Sequence, residues 1–192
     1  MPARCFNWVM IAVLAPSVLA LAQPNFKATP ATVNMAEGGR QDLMLVDTDN
    51  ERFSITIPND SGSELHADTR SVIFKAAAGD SIITVRFTAT YAGGLPTGNT
   101  LRDLVAANHP KASLISSAQS STSLGPAQTF DLMQPAANGS IVRIRDAYVA
   151  YPEGSVELTF SCNSADFDKK KFGFARLLYS FRLLTKDAKG TP

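Results

Sequence analysis

Apolar residues in this chain recur at every second position, in run after run. Phe53, Ile55 and Ile57 alternate with Ser54 and Thr56 until Pro58 stops the pattern. Val72, Phe74 and Ala76 alternate with Ser71, Ile73 and Lys75, and Ile83, Val85, Phe87 and Ala89 with Ile82, Thr84, Arg86 and Thr88. Further runs cover residues 128–134, 141–151 and 155–162. Strand side chains point alternately to opposite faces, so each run can lay one face on a core, as antiparallel strands do. Short links join the runs: Gly79-Asp80, Asn138-Gly139 and Pro152-Glu153-Gly154. Asn-Gly is the preferred dipeptide of a type I′ hairpin, which needs positive φ at both central residues. Links this tight predict a meander, because parallel strands need long crossovers.

Two segments change to the helical period. Residues 100–108 present Leu101, Leu104 and Val105, with Thr100 as the expected N-cap, Asp103 in the capping-box position and Pro110 as the stop. The second helix is predicted over 165–181, capped by Ser164, with Phe167, Phe174, Leu177, Leu178 and Phe181 along one side. Gly173 costs about 1 kcal/mol inside a helix, so it is expected to mark a close approach to the sheet. The fold class that follows is α+β: an antiparallel sheet of about six or seven strands sandwiched by helices, the longest of them C-terminal.

The ends of the chain read differently. Residues 1–22 have the form of a secretory signal: Arg4, the apolar stretch Trp8 to Ala15, a break at Pro16-Ser17 and a small-x-small site at Ala20-Leu21-Ala22. The expected organisation is a signal over 1–22, a flexible leader over 23–41, one domain over 42–184 and a tail over 185–192. The expected location is periplasmic or extracellular, without an integral membrane span. Removing Arg4 leaves 17 basic against 17 acidic residues. Such a balance gives no overall field for nucleic acid. Cys5 leaves with the signal, so Cys162 has no partner for an intrachain disulfide. Strand parity puts Cys162 on an apolar face with Val156, Leu158 and Phe160, as a buried thiol.

Motifs for chemistry are sparse. His66 lies in a polar loop and His109 stands before Pro110 at a helix end, where a partly charged imidazole is favourable. Neither has metal ligands at the usual spacing, and no Gly-x-Ser-x-Gly elbow occurs. Residues 93–98 are glycine-rich but lack the Gly-Lys-Ser/Thr end of a phosphate loop, so they read as a mobile loop. Asp47, Asp49 and Glu51 alternate as calcium ligands do, without the glycine and terminal Glu of an EF-hand; a polar turn is the simpler reading, and a loose calcium site stays open. No cofactor is expected.

Two basic groups are candidate binding surfaces. Lys169, Lys170 and Lys171 fall in the first turns of the second helix, where Asp166 and Asp168 offset the unfavourable dipole. They form either a solvated face or a contact for an acidic partner or lipid headgroups. Parity also sets Arg143 and Arg145 opposite Val142 and Ile144, and Lys75 and Arg86 opposite Phe74 and Phe87. If these strands are neighbours, the four cations share an outer face, either paired with Glu157 or open as an anion-binding surface.

A family resemblance rests on two stretches. Residues 51–58, Glu-Arg-Phe-Ser-Ile-Thr-Ile-Pro, resemble the opening strand of PsbP-like domains. Leu158-Thr159-Phe160, then Asp166-Phe167, then residues 174–181 ending in Ser180-Phe181, are similar to their closing strand and helix. Asn59 follows Pro58 where such domains usually carry tryptophan. The resemblance implies an α–β–α sandwich. It also implies no enzyme, since the family includes extrinsic photosystem subunits, a Ran-binding transport factor and exported bacterial proteins of unknown role. The expected function is a non-catalytic exported binding or assembly protein working through an unidentified protein partner. Alternatives are a carrier of a small hydrophobic ligand lined by Phe167, Phe174 and Phe181, and an unrecognised hydrolase using Cys162 or His109.

Overall fold

A computed structural model describes residues 25–36, 38–89, 94–152 and 154–184. The expected signal, the tail, Gly93 and Glu153 lie outside the described residues. The strands are β1 (Lys27–Asn34), β2 (Arg40–Asp47), β3 (Arg52–Thr56), β4 (Ser61–His66), β5 (Ser71–Ala76), β6 (Ser81–Ala89), β7 (Ser113–Thr122), β8 (Gly125–Pro135), β9 (Ile141–Tyr151), β10 (Gly154–Asn163) and β11 (Arg182–Leu184). Helix α1 (Gly98–Asn108) follows β6, and helix α2 (Phe167–Ser180) follows β10 through a single 3₁₀ turn, Ser164–Asp166.

The strands form two antiparallel sheets. Seven strands, in the order β4-β5-β6-β10-β9-β8-β7, make the large one, and β1-β2-β3-β11 make the small one. After β6 the chain crosses one face as α1 and starts again at the far edge with β7. It then returns through three hairpins until β10 pairs with β6, placing Glu157 against Arg86 and Phe160 against Ile83.

Both faces of the large sheet are covered. On one face, Phe74, Val85, Phe87, Leu158 and Phe160 pack with Met44, Val46, Phe53 and Ile55 of the small sheet and with Phe167, Phe174, Leu177, Leu178 and Phe181 at α2. On the other, Phe130, Leu132, Ile144 and Tyr148 receive Leu101 and Val105 of α1. Alternation along β9 separates the two cores: Ile144 and Tyr148 serve the α1 side, Ala147 and Val149 the α2 side. Phe160 stacks between Phe167 and Phe174, with ring centres 5.7 and 5.8 Å away.

Several expectations need correction. Lys27–Asn34, expected within a flexible leader, is a strand paired with β2 from Lys27↔Asp47 to Asn34↔Arg40. Its weak alternation and Pro30 conceal it, but an edge strand tolerates proline because its outward N–H needs no partner. Helix α1 starts from Thr97 without a side-chain cap, so the expected Thr100 capping box does not form. The start of the C-terminal helical segment is capped by Asn163, which accepts from the Ala165 N–H, and not by Ser164. Gly173 is exposed, and a Cβ there would meet nothing within 4 Å, so it marks no close approach. In the β8–β9 turn only Gly139 has positive φ (78°), and the Ala136 N–H donates to Ser140 O. The link is therefore longer than a two-residue type I′ turn, with Asn138 Oδ1 accepting from the Ser140 N–H.

Candidate functional site

The sequence candidates are not brought to one place. Lys75 and Arg86 point to the α1 side of the large sheet, whereas Arg143 and Arg145 point to the α2 side, since Arg145 pairs with Phe160 and Arg143 with Cys162 across the β9–β10 ladder. The expectation of one basic face fails because it assumed a single buried side. Each cation is also engaged. Lys75 Nζ donates to Glu64 Oε1 at 2.7 Å. Arg145 donates twice to Asp131, at 2.6 and 2.7 Å, and Arg143 lies 3.9 Å from the same carboxylate. Both guanidinium groups lie over the Phe167 ring, at 4.4 and 5.3 Å. They fasten the start of α2 to β9 and are not a free docking surface.

Arg86 belongs to a polar network under α1, of which strand parity discloses only the Arg86–Glu157 pair. Glu157 accepts from Arg86 Nε at 2.8 Å through Oε2, and through Oε1 from the Tyr148 hydroxyl at 2.8 Å and Asn108 Nδ2 at 3.1 Å. Arg86 Nη2 also donates to Glu157 Oε2. At the end of α1, His109 Nε2 lies 2.8 Å from Oδ2 of the fully buried Asp146. The other oxygen, Asp146 Oδ1, has no hydrogen-bond partner among the described residues. The His109 pKa is raised, chiefly by the hydrogen bond to Asp146 and against the opposing effect of burial. Burial, then the Glu157 charge, pushes the Tyr148 phenol upward. The warning in the sequence is Asp146 itself, an acid sharing strand parity with Ile144 and Tyr148.

This network ties the end of α1 to the large sheet, and among the described residues no Ser, Thr or Cys side chain is hydrogen-bonded to His109. Cys162 lies on the opposite, α2 side of the same sheet from His109, and burial raises its pKa. The acidic turn after β2 is likewise occupied. Asp47 accepts from Arg52 Nε at 2.6 Å, and Asp49 accepts from Arg70 Nη1 at 2.9 Å and from the Asn25 N–H at 2.8 Å. Among the described residues no three His, Cys, Asp or Glu side chains converge as metal ligands would.

The second helix offers a different surface. Its buried stripe, Phe167, Phe174, Leu177 and Leu178, leaves Lys169, Phe172, Arg176 and Tyr179 on the opposite side at helical spacing. Phe172 is 66% exposed and Tyr179 48%. Lys170 pairs with Asp80, and Lys171 donates to Asp168 at 2.7 Å. Lys169 and Arg176 form no ion pair among the described residues. Arg176 also overlooks a cleft of about 610 Å³, bounded by Arg40, Asp42, Ile57, Pro58 and Asp60 among others. Of the residues expected to line a ligand pocket, Phe167, Phe174 and Phe181 are each about 1% exposed and fill the core.

A seven-stranded antiparallel sheet with a helix on each face, and a small sheet beside the C-terminal helix, defines an α–β–α sandwich. It is the PsbP-like fold. The chain resembles the solution structure of cyanobacterial PsbP (CyanoP) from Synechocystis sp. PCC 6803, with a TM-score of 0.52 and 12% identity over 82% of this chain and 94% of that one. It also resembles the crystal structure of the Saccharomyces cerevisiae Ran-binding protein Mog1p, with a TM-score of 0.50 and 12% identity over 81% and 96% of the two chains. Likeness at this identity is a likeness of fold. No protein-family model and no curated protein matches the sequence. Among the described residues no helix is long and apolar enough to cross a membrane.

Proposed function

We propose that this chain is a non-catalytic binding or assembly protein, exported under the direction of residues 1–22, that recognises an acidic protein partner through the outer face of α2. The observation that carries the reading is the exposed stripe Lys169, Phe172, Arg176 and Tyr179. Aromatic side chains and arginine are the residues enriched at protein interfaces and among their hot spots. Two exposed rings cost hydration without contributing to this chain's own core, and Lys169 and Arg176 beside them, with no ion pair among the described residues, favour a partner of opposite charge. The separation of Cys162 from His109 by the thickness of a sheet supports a non-catalytic role. The Ran-binding protein Mog1p offers a precedent for protein binding on this fold.

The test is capture of partners from the native compartment by the immobilised chain. Phe172→Ala and Arg176→Glu should each weaken a specific partner at least about tenfold, which is about 1.4 kcal/mol. Lys75→Glu, on the other side of the molecule, should leave it unchanged. A partner held equally by all three variants would refute the α2 surface.

A further inference from the structure

Among the described residues the two sheets end in four edge strands, β1, β11, β4 and β7. Exposed edges present unpaired backbone groups to any other strand, and proteins guard them with charge, proline, brevity or bulges. β1 carries Lys27 and Pro30, and β11 has three residues. β4 has six residues and a central Glu64 paired with Lys75. β7 is unlike the others. It has ten residues, is exposed continuously from Ser113 to Gln119, and lies in a stretch from Ala112 to Phe130 that contains neither acid nor base. A single register shift between Leu114 and Ser116 disturbs only its start; from Ser116↔Asp131 to Thr122↔Gly125 the ladder with β8 is regular.

We propose that β7 pairs with the β7 of a second copy of this chain, antiparallel about a two-fold axis at Gln119, so that the large sheets of two molecules run together. The occupant follows from the charge pattern. A foreign strand can be matched to any charge on an edge, but a strand paired with its own two-fold mate sets residues near the midpoint against themselves or close relatives. Like charges placed directly opposite are destabilising, so a self-pairing edge must be neutral there. With the axis at Gln119, Ala118 meets Ser120, Ser117 meets Ser121 and Ser116 meets Thr122. All are small and uncharged, and the two Gln119 amides can hydrogen-bond each other. The variants below leave Phe172 and Arg176 intact, so this inference stands or falls apart from the α2 reading.

Sedimentation equilibrium of the purified chain should show a dimer in reversible exchange with monomer. Gln119→Lys and Gln119→Glu should each sediment as monomers, and an equimolar mixture of the two should recover a mixed dimer. That recovery also shows that both variants are folded. In hydrogen exchange, β7 amides of the unaltered chain should gain protection as protein concentration rises. A monomer at every accessible concentration, a dimer insensitive to both variants, a mixture that does not associate, or β7 amides indifferent to concentration would each overturn the proposal.

Discussion

His109 is a residue whose protonation the surrounding structure alters. Its imidazole is held against the buried Asp146 at 2.8 Å, and its pKa is raised from the ordinary 6.5, first by that hydrogen bond and in spite of burial. A base whose folded pKa exceeds its unfolded one contributes stability that is complete below the unfolded value and disappears as pH climbs through the folded value. Urea denaturation across that interval should therefore show falling stability above pH 6.5. His109→Gln should flatten the decline and lose most stability at the acid end. An unchanged pH profile in the variant would dissociate His109 from the effect. Two glycines offer an opposite pair of outcomes. At Gly173, exposed inside α2 with open space around it, alanine should stabilise by about 1 kcal/mol through helix propensity. At Gly154 in β10 a Cβ would collide with the Thr88 carbonyl and approach Tyr151 Oη at 2.7 Å, so alanine should destabilise by about 1–3 kcal/mol. Thermal melts of both variants decide the pair.

At the scale of elements, what the sequence discloses depends on how one-sided each element is. β3, β6 and β10 alternate apolar with polar residues because their apolar side chains meet the α2-side core, and α2 shows its stripe for the same reason. Ser54, Ser155 and Glu157 on the other faces are buried as well. β9 is where parity stops ranking the faces. Ile144, Asp146, Ala147, Tyr148 and Val149 are all buried, since α1 covers one side and α2 with the small sheet covers the other. A reader of the sequence who assumes one core must expose Arg143 and Arg145, and so assembles a basic face the fold divides. β1, β4 and β7 are edge strands with polar or small residues, and burial imposes no pattern on them. Ser180-Phe181 is legible for a physical reason. The Ser180 hydroxyl accepts from the Thr56 N–H at 2.9 Å and donates to Leu177 O, while Phe181 is buried beneath it. The motif ties the end of α2 to β3. Of the outer stripe of α2 the sequence discloses only Lys169, within its lysine run; Phe172, Arg176 and Tyr179 gain meaning once the buried side of the helix is fixed.

On the scale of the molecule, one ring joins the parts. Phe87 of the large sheet lies 5.1 Å from Phe53 of the small sheet, 5.7 Å from Phe26 and 6.4 Å from Phe181. Phe87→Ala should cost about 3–5 kcal/mol, as deletion of a buried aromatic does. Because the two sheets share this contact, far-ultraviolet circular dichroism and tyrosine fluorescence should report one coincident transition in both the variant and the parent. Two separated transitions would make the sheets independent units. The small sheet has a further property: its last strand, Arg182–Leu184, pairs with Arg52–Ser54, laid down far earlier in the chain. Contacts so distant in sequence form slowly, because a long loop must close before they gain anything. The ribosome must release Arg182–Leu184 before that ladder can zip. Until then β3 has β2 on one side and nothing on the other, and the small sheet keeps an open edge where Arg182–Leu184 will later sit.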